Sequence, residues 1–217
     1  MELRKESIIN SLIEVLRERK LSVSCVYERN DVKIRELEGI SIYKGFFKSP
    51  LLKEKEQKTI AHIVENGITY NVDVENGQKT GFFLDQKFNR LAVGQIAKGK
   101  HVLDCFTHTG AFALNAAKGG AASVTAVDIS EEAVTMTQHN AVQNTCKIDV
   151  VKADVFDYLV TLDKTHNHFF DYIILDPPAF SKSRQTIHEA FRGYKEINYR
   201  AMKVLPRGGY LATCSCS

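Results

Sequence analysis

Apolar residues recur along the first third of the chain with helical spacing and then in short alternating runs. Over residues 7–19 they return every three or four positions, which predicts an amphipathic helix. Four short runs rich in β-branched and aromatic residues follow, with Asn-Gly and similar turn signals between them. These predicted strands lie at 21–27, 32–37, 40–46 and 68–74. Residues 1–75 are therefore predicted to form a small α+β piece made mainly of hairpins.

Strands and helices alternate regularly after about residue 82, where a helix over 82–97 is predicted first. The strands that follow are predicted at 101–105, 123–128, 148–152, 170–175 and 209–214. The helices between them are predicted near 111–118, 131–143, 155–162 and 188–205. This alternation is typical of a parallel, doubly wound sheet, so residues 76–217 are predicted to form an α/β, Rossmann-like domain. Ligands bind such sheets at the carboxyl ends of the strands.

The turn after the first of these strands carries an acid and a glycine. Residues 104–110 read DCFTHTG, and this turn resembles the nucleotide-binding turn of class I S-adenosylmethionine (SAM) methyltransferases. Gly110 lets a ligand approach the backbone closely. Asp104 is placed to hold water or the ammonium group of the methionine moiety. A plain strand–helix turn is the alternative interpretation.

Acids also follow the second and third strands. Asp128 lies 24 residues after Asp104, a spacing at which an acid accepts hydrogen bonds from ribose hydroxyls in NAD and SAM enzymes alike. Asp154 is placed to accept a hydrogen bond from the exocyclic amine of adenine. Both residues also precede predicted helices, so capping of those helices is the alternative role.

The fourth strand runs into the sequence LDPPAF at residues 175–180. Two prolines hold this loop out of helical conformation and present Asp176 rigidly, with an aromatic ring nearby. The motif is typical of methyltransferases that act on planar nitrogen or on bases. Phe180 is predicted to stack on a flipped base, a contact worth about 1–3 kcal/mol. A chance turn is the alternative.

The fifth strand ends in TCSCS at residues 213–217, which brings a thiol to the same sheet edge as Asp176. A thiolate that adds to C6 of cytosine makes C5 nucleophilic, so Cys214 and Cys216 are candidate nucleophiles. A free thiol has a pKa of about 8.5, so the site must lower that pKa or take the proton during attack. Inert, buried cysteine is the alternative.

A polar segment with two glycines precedes the first strand of the sheet and leads into a helix. It reads NGQKTGFFLDQKFNR at residues 76–90. Lys79 near a helix N-terminus suits a carboxylate such as the methionine end of SAM. A hairpin exit followed by a capped helix is the alternative.

Four strings together resemble the 23S ribosomal RNA large-subunit cytosine-5 methyltransferase family over residues 27–217. They are GQKTGFFLDQKFNR, DCFTHTGAFALNAA, LDPPAFSKSR and GYKEINYRAMKVLPRGGYLATCSCS. The resemblance implies a class I enzyme that uses SAM, acts on ribosomal RNA and makes 5-methylcytosine. It implies that SAM is surrounded by Phe83, Asp85, Asp104, Phe106, Gly110, Asp128, Asp154 and Asp176. It further implies Cys214 as the nucleophile, with Cys216 in reserve.

The same resemblance implies parts that this sequence does not contain. Members of the family carry an N-terminal PUA-type RNA-binding domain and a longer middle domain, and class I sheets have seven strands. We therefore expect a piece truncated at both ends, with its final two strands absent. An exposed sheet edge is a site for pairing with another chain, so a homodimer through that edge is a further expectation.

Composition narrows the class of protein without naming a reaction. No run approaches the roughly 20 apolar residues of a membrane helix, and no signal peptide is evident, so no membrane partner is expected. Five widely spaced cysteines indicate a reduced, cytoplasmic protein, and the absence of CxxC and HExxH motifs argues against zinc.

The net charge of +3 is less informative than one local cluster. Residues 182–207 hold seven bases and two acids. Such a cluster can contact RNA phosphates, and Lys182 and Arg184 are its predicted substrate residues. A solvated helix face is the alternative.

Three other functions fit parts of the pattern. In a SAM-dependent RNA base N-methyltransferase, the acceptor nitrogen uses its own lone pair and Asp176 and Phe180 only orient the base. A non-catalytic RNA-binding module fits the missing strands. A NAD-dependent oxidoreductase fits the sheet but lacks GxGxxG and leaves DPPAF unexplained.

Overall fold

The computed structural model describes residues 2–32, 34–52, 57–165, 168–180 and 187–215. The chain divides into two compact units. The first comprises Met1–Ala61 and Val72–Phe82, and the second comprises His62–Asn71 and Phe83–Ser217.

The first unit contains two short helices and one antiparallel strand pair. Its elements are α1 (Lys5–Glu18), β1 (Tyr27–Asn30), α2 (Ile34–Leu37) and β2 (Tyr43–Phe46). In the strand pair, Tyr27 lies opposite Phe46, and their rings meet edge to face at 4.9 Å. Arg29 of β1 donates hydrogen bonds from Nη1 to the carbonyl oxygens of Val74 and Gly77.

Two of the strand predictions in this part were wrong. Residues 21–26 have no regular structure before β1 begins at Tyr27. Residues 34–37 of the run predicted at 32–37 form α2, a single helical turn with no buried residue, instead of a strand. Its large apolar side chains, Ile34 and Leu37, are exposed. Because no buried face fixes the alternation of apolar and charged residues, local turn formation decides the conformation.

The division between the units runs through a hairpin of β3 (Ile60–Glu65) and β4 (Ile68–Asp73). The two-residue loop is Asn66-Gly67, with φ values of 53° and 74°. Positive φ at both positions matches the right-handed twist of the strands, and Asn-Gly is the sequence that best tolerates it. The sequence predicted β4 but missed β3, whose alternate residues are largely exposed.

A parallel sheet forms the framework of the second unit and confirms the predicted α/β, doubly wound class. Its strands are β5 (His101–Cys105), β6 (Ser123–Asp128), β7 (Asp149–Lys152), β8 (Tyr172–Leu175) and β9 (Tyr210–Thr213). They lie in the order β7-β6-β5-β8-β9. The helices are α3 (Lys87–Ile96), α4 (Ala111–Lys118), α5 (Glu131–Gln143), α6 (Val155–Lys164) and α7 (Ile187–Val204). The strand order reverses beside β5, which places the ligand crevice at the carboxyl ends of β5 and β8.

Both faces of the sheet are covered, so its central strands are buried on each side. Leu103 and Cys105 belong to one core cluster with residues of α6 and α7, including Ile197. Val102 belongs to the other cluster, with residues of α3 and α4, including Phe112. Because side chains alternate along a strand, Asp104 lies on the α3–α4 face, where it is fully buried.

Two kinds of feature are absent from the described ranges. None of the helices there combines the length and apolar character needed to cross a membrane. The same ranges contain no cluster of histidine, cysteine and acidic side chains suited to holding a metal ion.

Candidate active site

Asp104 lies at the carboxyl end of β5, and its two carboxylate oxygens have different surroundings. Oδ2 accepts hydrogen bonds from the Thr107 hydroxyl at 2.6 Å and from the Ala113 backbone N–H at 3.0 Å. Oδ1 is buried and accepts no hydrogen bond within the described part of the chain. An unpaired buried carboxylate oxygen is costly, so a ligand cation such as the ammonium of SAM fits this atom.

The burial of Asp104 also sets its protonation. Desolvation raises the pKa of this carboxyl to about 7, and the negative charges of Asp176 and Asp128 act in the same direction. The hydrogen bonds from Thr107 and Ala113 act against the rise. A group with this pKa loses its proton when a cation binds beside it.

The loop after β5 is held in unusual backbone conformations. Phe106, His108 and Gly110 have φ values of 63°, 54° and 77°. Left-handed conformations in residues other than glycine are uncommon and cost roughly 1–3 kcal/mol each, so the surrounding structure must impose them. At Gly110 a Cβ atom would lie 2.7 Å from the Thr137 methyl carbon. Glycine is therefore required here by the fold itself, in addition to any ligand.

Asp128 at the end of β6 is a structural anchor for this loop. Its Oδ2 accepts from the His108 N–H at 2.9 Å, and its Oδ1 accepts from the Ser130 N–H at 3.0 Å. Burial lowers the pKa of His108, while the charge of Asp128 opposes that change. The predicted contact of Asp128 with ribose hydroxyls remains a prediction.

Asp154 after β7 forms the N-cap of α6. Its Oδ1 accepts from the backbone N–H groups of Phe156 and Asp157 at 2.8 and 3.3 Å. The capping role considered from the sequence is thus present. The predicted contact with adenine remains a prediction, and the side chain is exposed enough to make it.

A short 3₁₀ helix, Leu84–Gln86, leads into α3 beside the loop. Arg90 of α3 donates from Nη2 to the carbonyl of Phe83 at 2.6 Å. The same guanidinium forms a buried, two-pronged ion pair with Glu65, with its Nε 2.7 Å from Oε1 and its Nη2 3.2 Å from Oε2. The Phe83 ring lies edge-on to that of His108, with 5.4 Å between centroids. Arg90 thus fixes the position of a predicted cofactor residue.

Asp176 and Cys214 meet at the carboxyl ends of β8 and β9. The Cys214 N–H donates to the Leu175 carbonyl at 2.8 Å, which extends the pairing of β8 and β9 by one residue. The Cys214 thiol lies close enough to Asp176 and to the Gln86 side chain for both to affect its pKa. The predicted convergence of an acid and a thiol at this edge is therefore present in the structure, while their catalytic roles remain predictions.

The charges around this pair keep the thiol protonated. Desolvation raises the pKa of Cys214 to about 11, with further increases from Asp176 and Asp104, while the Gln86 side chain opposes them. The pKa of Asp176 is also raised, first by desolvation and also by Asp85, against the opposing charge of Arg90. The carboxylate is thus a stronger base than an exposed aspartate.

Phe180 in the DPPAF loop is packed against the protein. Its ring lies 4.6 Å from that of Tyr194 and 5.9 Å from that of Phe156. A Cβ at Gly193 would approach the Phe180 ring to 3.0 Å, so glycine lets α7 come close to the loop. These contacts support the rigidity predicted for the loop, and stacking of Phe180 on a base remains a prediction.

The remaining predicted site residues are not among the described residues of this sheet edge. Lys79 belongs to the first unit, and Cys216, Lys182 and Arg184 lie outside the described residues. Within the basic cluster, Arg200 pairs with Glu196 at 2.7 Å and Lys203 pairs with Asp163 at 2.9 Å. Those two bases fit the solvated-face alternative better than RNA contact.

Sequence reasoning missed several residues that build the site. Thr137 and Asn140 of α5 bond the carbonyls of His108 and Thr109, at 3.2 and 3.0 Å. Arg90 and Gln86 act on Phe83 and Cys214 as described above. Nothing in the spacing of Thr137 or Asn140 marks them, because their partners are 29 and 31 residues away in the chain.

A parallel sheet with this strand order and a buried acid beside a strained glycine turn defines a Rossmann-like, SAM-dependent methyltransferase fold. The family model for S-adenosylmethionine-dependent methyltransferases matches residues 50–217. The chain belongs to this family, and its cofactor is SAM.

Curated relatives are similar over most of the chain. "Ribosomal RNA large subunit methyltransferase I" of Photobacterium profundum is 43% identical over 195 residues, covering 88% of this chain and 48% of that protein. The protein of the same name from Shewanella amazonensis is 43% identical, covering 95% of this chain and 51% of that protein. The chain thus spans about half the length of the curated relatives it matches.

Solved structures agree with the fold. A structure from Streptococcus mutans, classed as a SAM-dependent methyltransferase, has 31% identity and a TM-score of 0.63, covering 78% of this chain and 44% of that one. A second methyltransferase structure, complexed with SAH, has 29% identity and the same TM-score of 0.63, covering 79% and 45%.

Proposed function

We propose that this chain belongs to an enzyme that methylates C5 of a cytosine in large-subunit ribosomal RNA. The observation that carries the proposal is the juxtaposition of Asp176 and Cys214 at the end of β8 and β9, beside the buried Asp104. The substrate class comes from the relatives, because both are named as methyltransferases of the ribosomal RNA large subunit. A fold alone would not choose the substrate.

Cofactor binding would use the β5 and β6 ends of the crevice. Asp104 offers Oδ1 to an ammonium group, while the loop from Phe106 to Gly110 forms the adjoining wall. Phe83 and Asp85 lie on the segment that Arg90 anchors. When bound, SAM supplies a methyl group on a sulfonium, which an electron-rich carbon displaces in line to leave SAH.

The chemistry of the acceptor would fall to Cys214 and Asp176. The Cys214 sulfur forms a bond to C6 of the cytosine as its proton passes to the Asp176 carboxylate. The electrons of the C5–C6 double bond shift into the ring, which makes C5 nucleophilic. Protonated Asp176 then donates a hydrogen bond to N3, where negative charge develops.

The adduct is resolved by two further bond changes. After C5 has gained its methyl group, a base removes the C5 proton. The electrons of that C–H bond re-form the C5–C6 double bond, and the C6–sulfur bond breaks with the sulfur leaving as thiolate. Positioning of the reactants supplies much of the rate in such a sequence.

The raised thiol pKa favours a second candidate function. A thiol with a pKa of about 11 carries almost no thiolate at neutral pH. In an RNA base N-methyltransferase the cysteine is not needed, and Asp176 and Phe180 would orient a nitrogen acceptor.

Covalent trapping distinguishes the two chemistries. RNA in which cytosine is replaced by 5-fluorocytosine holds the C6 adduct, because fluorine cannot leave as a proton does. We expect the wild-type chain with SAM to form a complex that survives denaturing electrophoresis. Methylation of ordinary ribosomal RNA at a nitrogen, without any trapped complex, would support the second candidate instead.

The same assay assigns the nucleophile. We expect Cys214→Ala to abolish trapping and transfer while SAH affinity stays within about twofold, because the thiol acts on the acceptor. Cys216→Ala is the matched control and should retain trapping. The reverse result would move the role to Cys216 and leave the proposed reaction standing.

A further inference from the structure

Two side chains of α5 form hydrogen bonds to the loop at residues 106–110, which we call the cofactor loop. Thr137 donates its hydroxyl to the His108 carbonyl at 3.2 Å, and its methyl group faces Gly110. One turn later, Asn140 donates from Nδ2 to the Thr109 carbonyl at 3.0 Å. Both side chains are completely buried. Two adjacent carbonyls of a strained loop thus take their hydrogen bonds from a single helix.

Asn140 also bonds a second element. Its Oδ1 accepts from the Asn71 N–H of β4 at 2.9 Å. The amide group is therefore used at both ends, with β4 on one side and the cofactor loop on the other. A buried amide whose two ends are both satisfied fixes the distance between the groups it joins.

Asn144 repeats half of this arrangement one helical turn further on. Its Oδ1 accepts from the Thr69 N–H at 2.9 Å, and its Nδ2 donates to the Thr69 carbonyl at 2.6 Å. Both bonds go to β4, and a further bond from Nδ2 reaches the Asn140 carbonyl at 2.8 Å. Asn144 thus binds the same strand as Asn140, and its bonds do not include the loop.

We propose that Thr137 and Asn140 are positioning residues for SAM, which hold the loop of residues 106–110 in its left-handed conformations and tie it to β4. The conformations of Phe106 and His108 are unfavourable in isolation. Because the loop carbonyls are bonded before ligand arrives, the cost of ordering the loop is met by folding and not by binding. Loss of either bond should weaken cofactor binding more than it weakens the fold.

Isosteric variants test this inference with a matched control. Asn140→Asp keeps the oxygen that faces Asn71 and replaces the donor to Thr109 with an acceptor. Asn144→Asp makes the same change one turn away, where the lost donor serves the Thr69 carbonyl of β4 and the Asn140 carbonyl of α5 but not the loop. We expect SAH titration calorimetry to show affinity about tenfold weaker for Asn140→Asp, the value of one ordinary hydrogen bond. Asn144→Asp should stay within about twofold of wild type.

Two variants of Thr137 test the same inference with a lower risk that the protein fails to fold. Thr137→Val removes only the hydroxyl and should weaken SAH affinity by about three- to tenfold. Thr137→Ser keeps the hydroxyl and should restore most of the affinity. Equal affinities for the valine and serine variants, or equal losses for Asn140→Asp and Asn144→Asp, would overturn the inference.

Hydrogen exchange separates this inference from cofactor binding itself. In the ligand-free chain, the amides of His108 and Gly110 donate to Asp128 and to the Thr107 carbonyl. Their exchange should quicken in Asn140→Asp and Thr137→Val but not in Asn144→Asp. Unchanged exchange in the first two variants would contradict the proposal even if their SAH affinity were weakened. Absence of SAH binding in the wild type would instead contradict the cofactor assignment.

Discussion

The two ends of the crevice use their polar side chains in opposite ways. At the β5–β6 end, Asp128, Thr137 and Asn140 bond the backbone of the loop at residues 106–110. Asp104 accepts hydrogen bonds from the Thr107 hydroxyl of that loop and from the Ala113 N–H of α4. At the β8–β9 end, Asp176 and Cys214 lie at neighbouring strand ends, where each affects the pKa of the other. The hydrogen bonds at the β5–β6 end fix the conformation of a loop. The β8–β9 end instead brings an acid and a thiol close together. A binding site for a fixed cofactor needs the former, while bond making needs the latter.

Removing the acid at the reactive end should have the largest effect. Asp176→Asn leaves the shape of the loop intact but takes away the proton acceptor for Cys214 and the proton donor for the base. We expect methyl transfer to ribosomal RNA to fall by roughly 10²–10⁴-fold, the usual contribution of a general acid or base. SAH affinity should remain within about twofold, since binding belongs to the other end.

Asp171→Asn is the matched control for that loss. Asp171 accepts from the His101 N–H at 2.9 Å, at the amino ends of the same strands. It should retain transfer. A large loss of SAH affinity in Asp176→Asn would show that the two ends are not separate.

Adding a methyl group inside the loop should damage the cofactor end. In Gly110→Ala the new carbon meets the Thr137 methyl at 2.7 Å and keeps a positive φ. Gly99→Ala is the control, because it has φ +74° but no atom within 4 Å. We expect Gly99→Ala to cost about 1–2 kcal/mol of unfolding free energy, the strain of a left-handed alanine. Gly110→Ala should cost about 1–3 kcal/mol more through overpacking.

The binding readout sharpens this second test. SAH affinity should fall about tenfold or more in Gly110→Ala and stay unchanged in Gly99→Ala. Combining Gly110→Ala with Thr137→Ser removes the clashing methyl and should recover part of the stability. A double variant that behaves as the sum of its parts would show that Thr137 does not confine Gly110.

The pH dependence of the cofactor end follows from Asp104. Its folded pKa of about 7 lies above its unfolded value, so the native state binds more protons between the two. Unfolding free energy should therefore fall as pH rises from about 4 to 7, through this group, and Asp104→Asn should remove that component. SAH affinity should rise over about pH 6 to 8, as ionised Asp104 becomes available to the ammonium. An affinity profile unaltered by Asp104→Asn would contradict the assigned contact.

Sequence reasoning predicted that four polar side chains share one edge of the sheet, because the ends of apolar strands can be recognised in the sequence. Asp104, Asp128, Asp176 and Cys214 each follow an apolar strand, and parallel strands bring their carboxyl ends to one edge. The residues that hold those groups in place could not be recognised from the sequence. Thr137 and Asn140 lie within an ordinary amphipathic helix, and their roles depend on how α5 packs over a loop about 30 residues earlier.

The success of the secondary-structure predictions also depended on how each segment packs. The sheet's central strands β5, β6 and β8 are buried and its outer strands β7 and β9 are half-buried, so apolar and β-branched residues identify them, with shifts of one or two residues at the ends. Residues 34–37 have no buried side chain, and they form one turn of helix instead of the predicted strand. Hydrophobic pattern is informative only where tertiary packing uses it.

The smallest expected effect concerns Asp154, whose two proposed roles can be separated by chemistry. Both capping bonds use Oδ1, so the adenine contact would use the other oxygen. Asp154→Ala should cost about 1 kcal/mol of unfolding free energy, and Asp154→Ser should recover it, since a hydroxyl also caps a helix. SAH affinity should fall about threefold in both variants, because neither retains a second oxygen. If affinity followed stability and returned with serine, Asp154 would serve the cofactor only by capping α6, like the other loop supports at its end of the crevice.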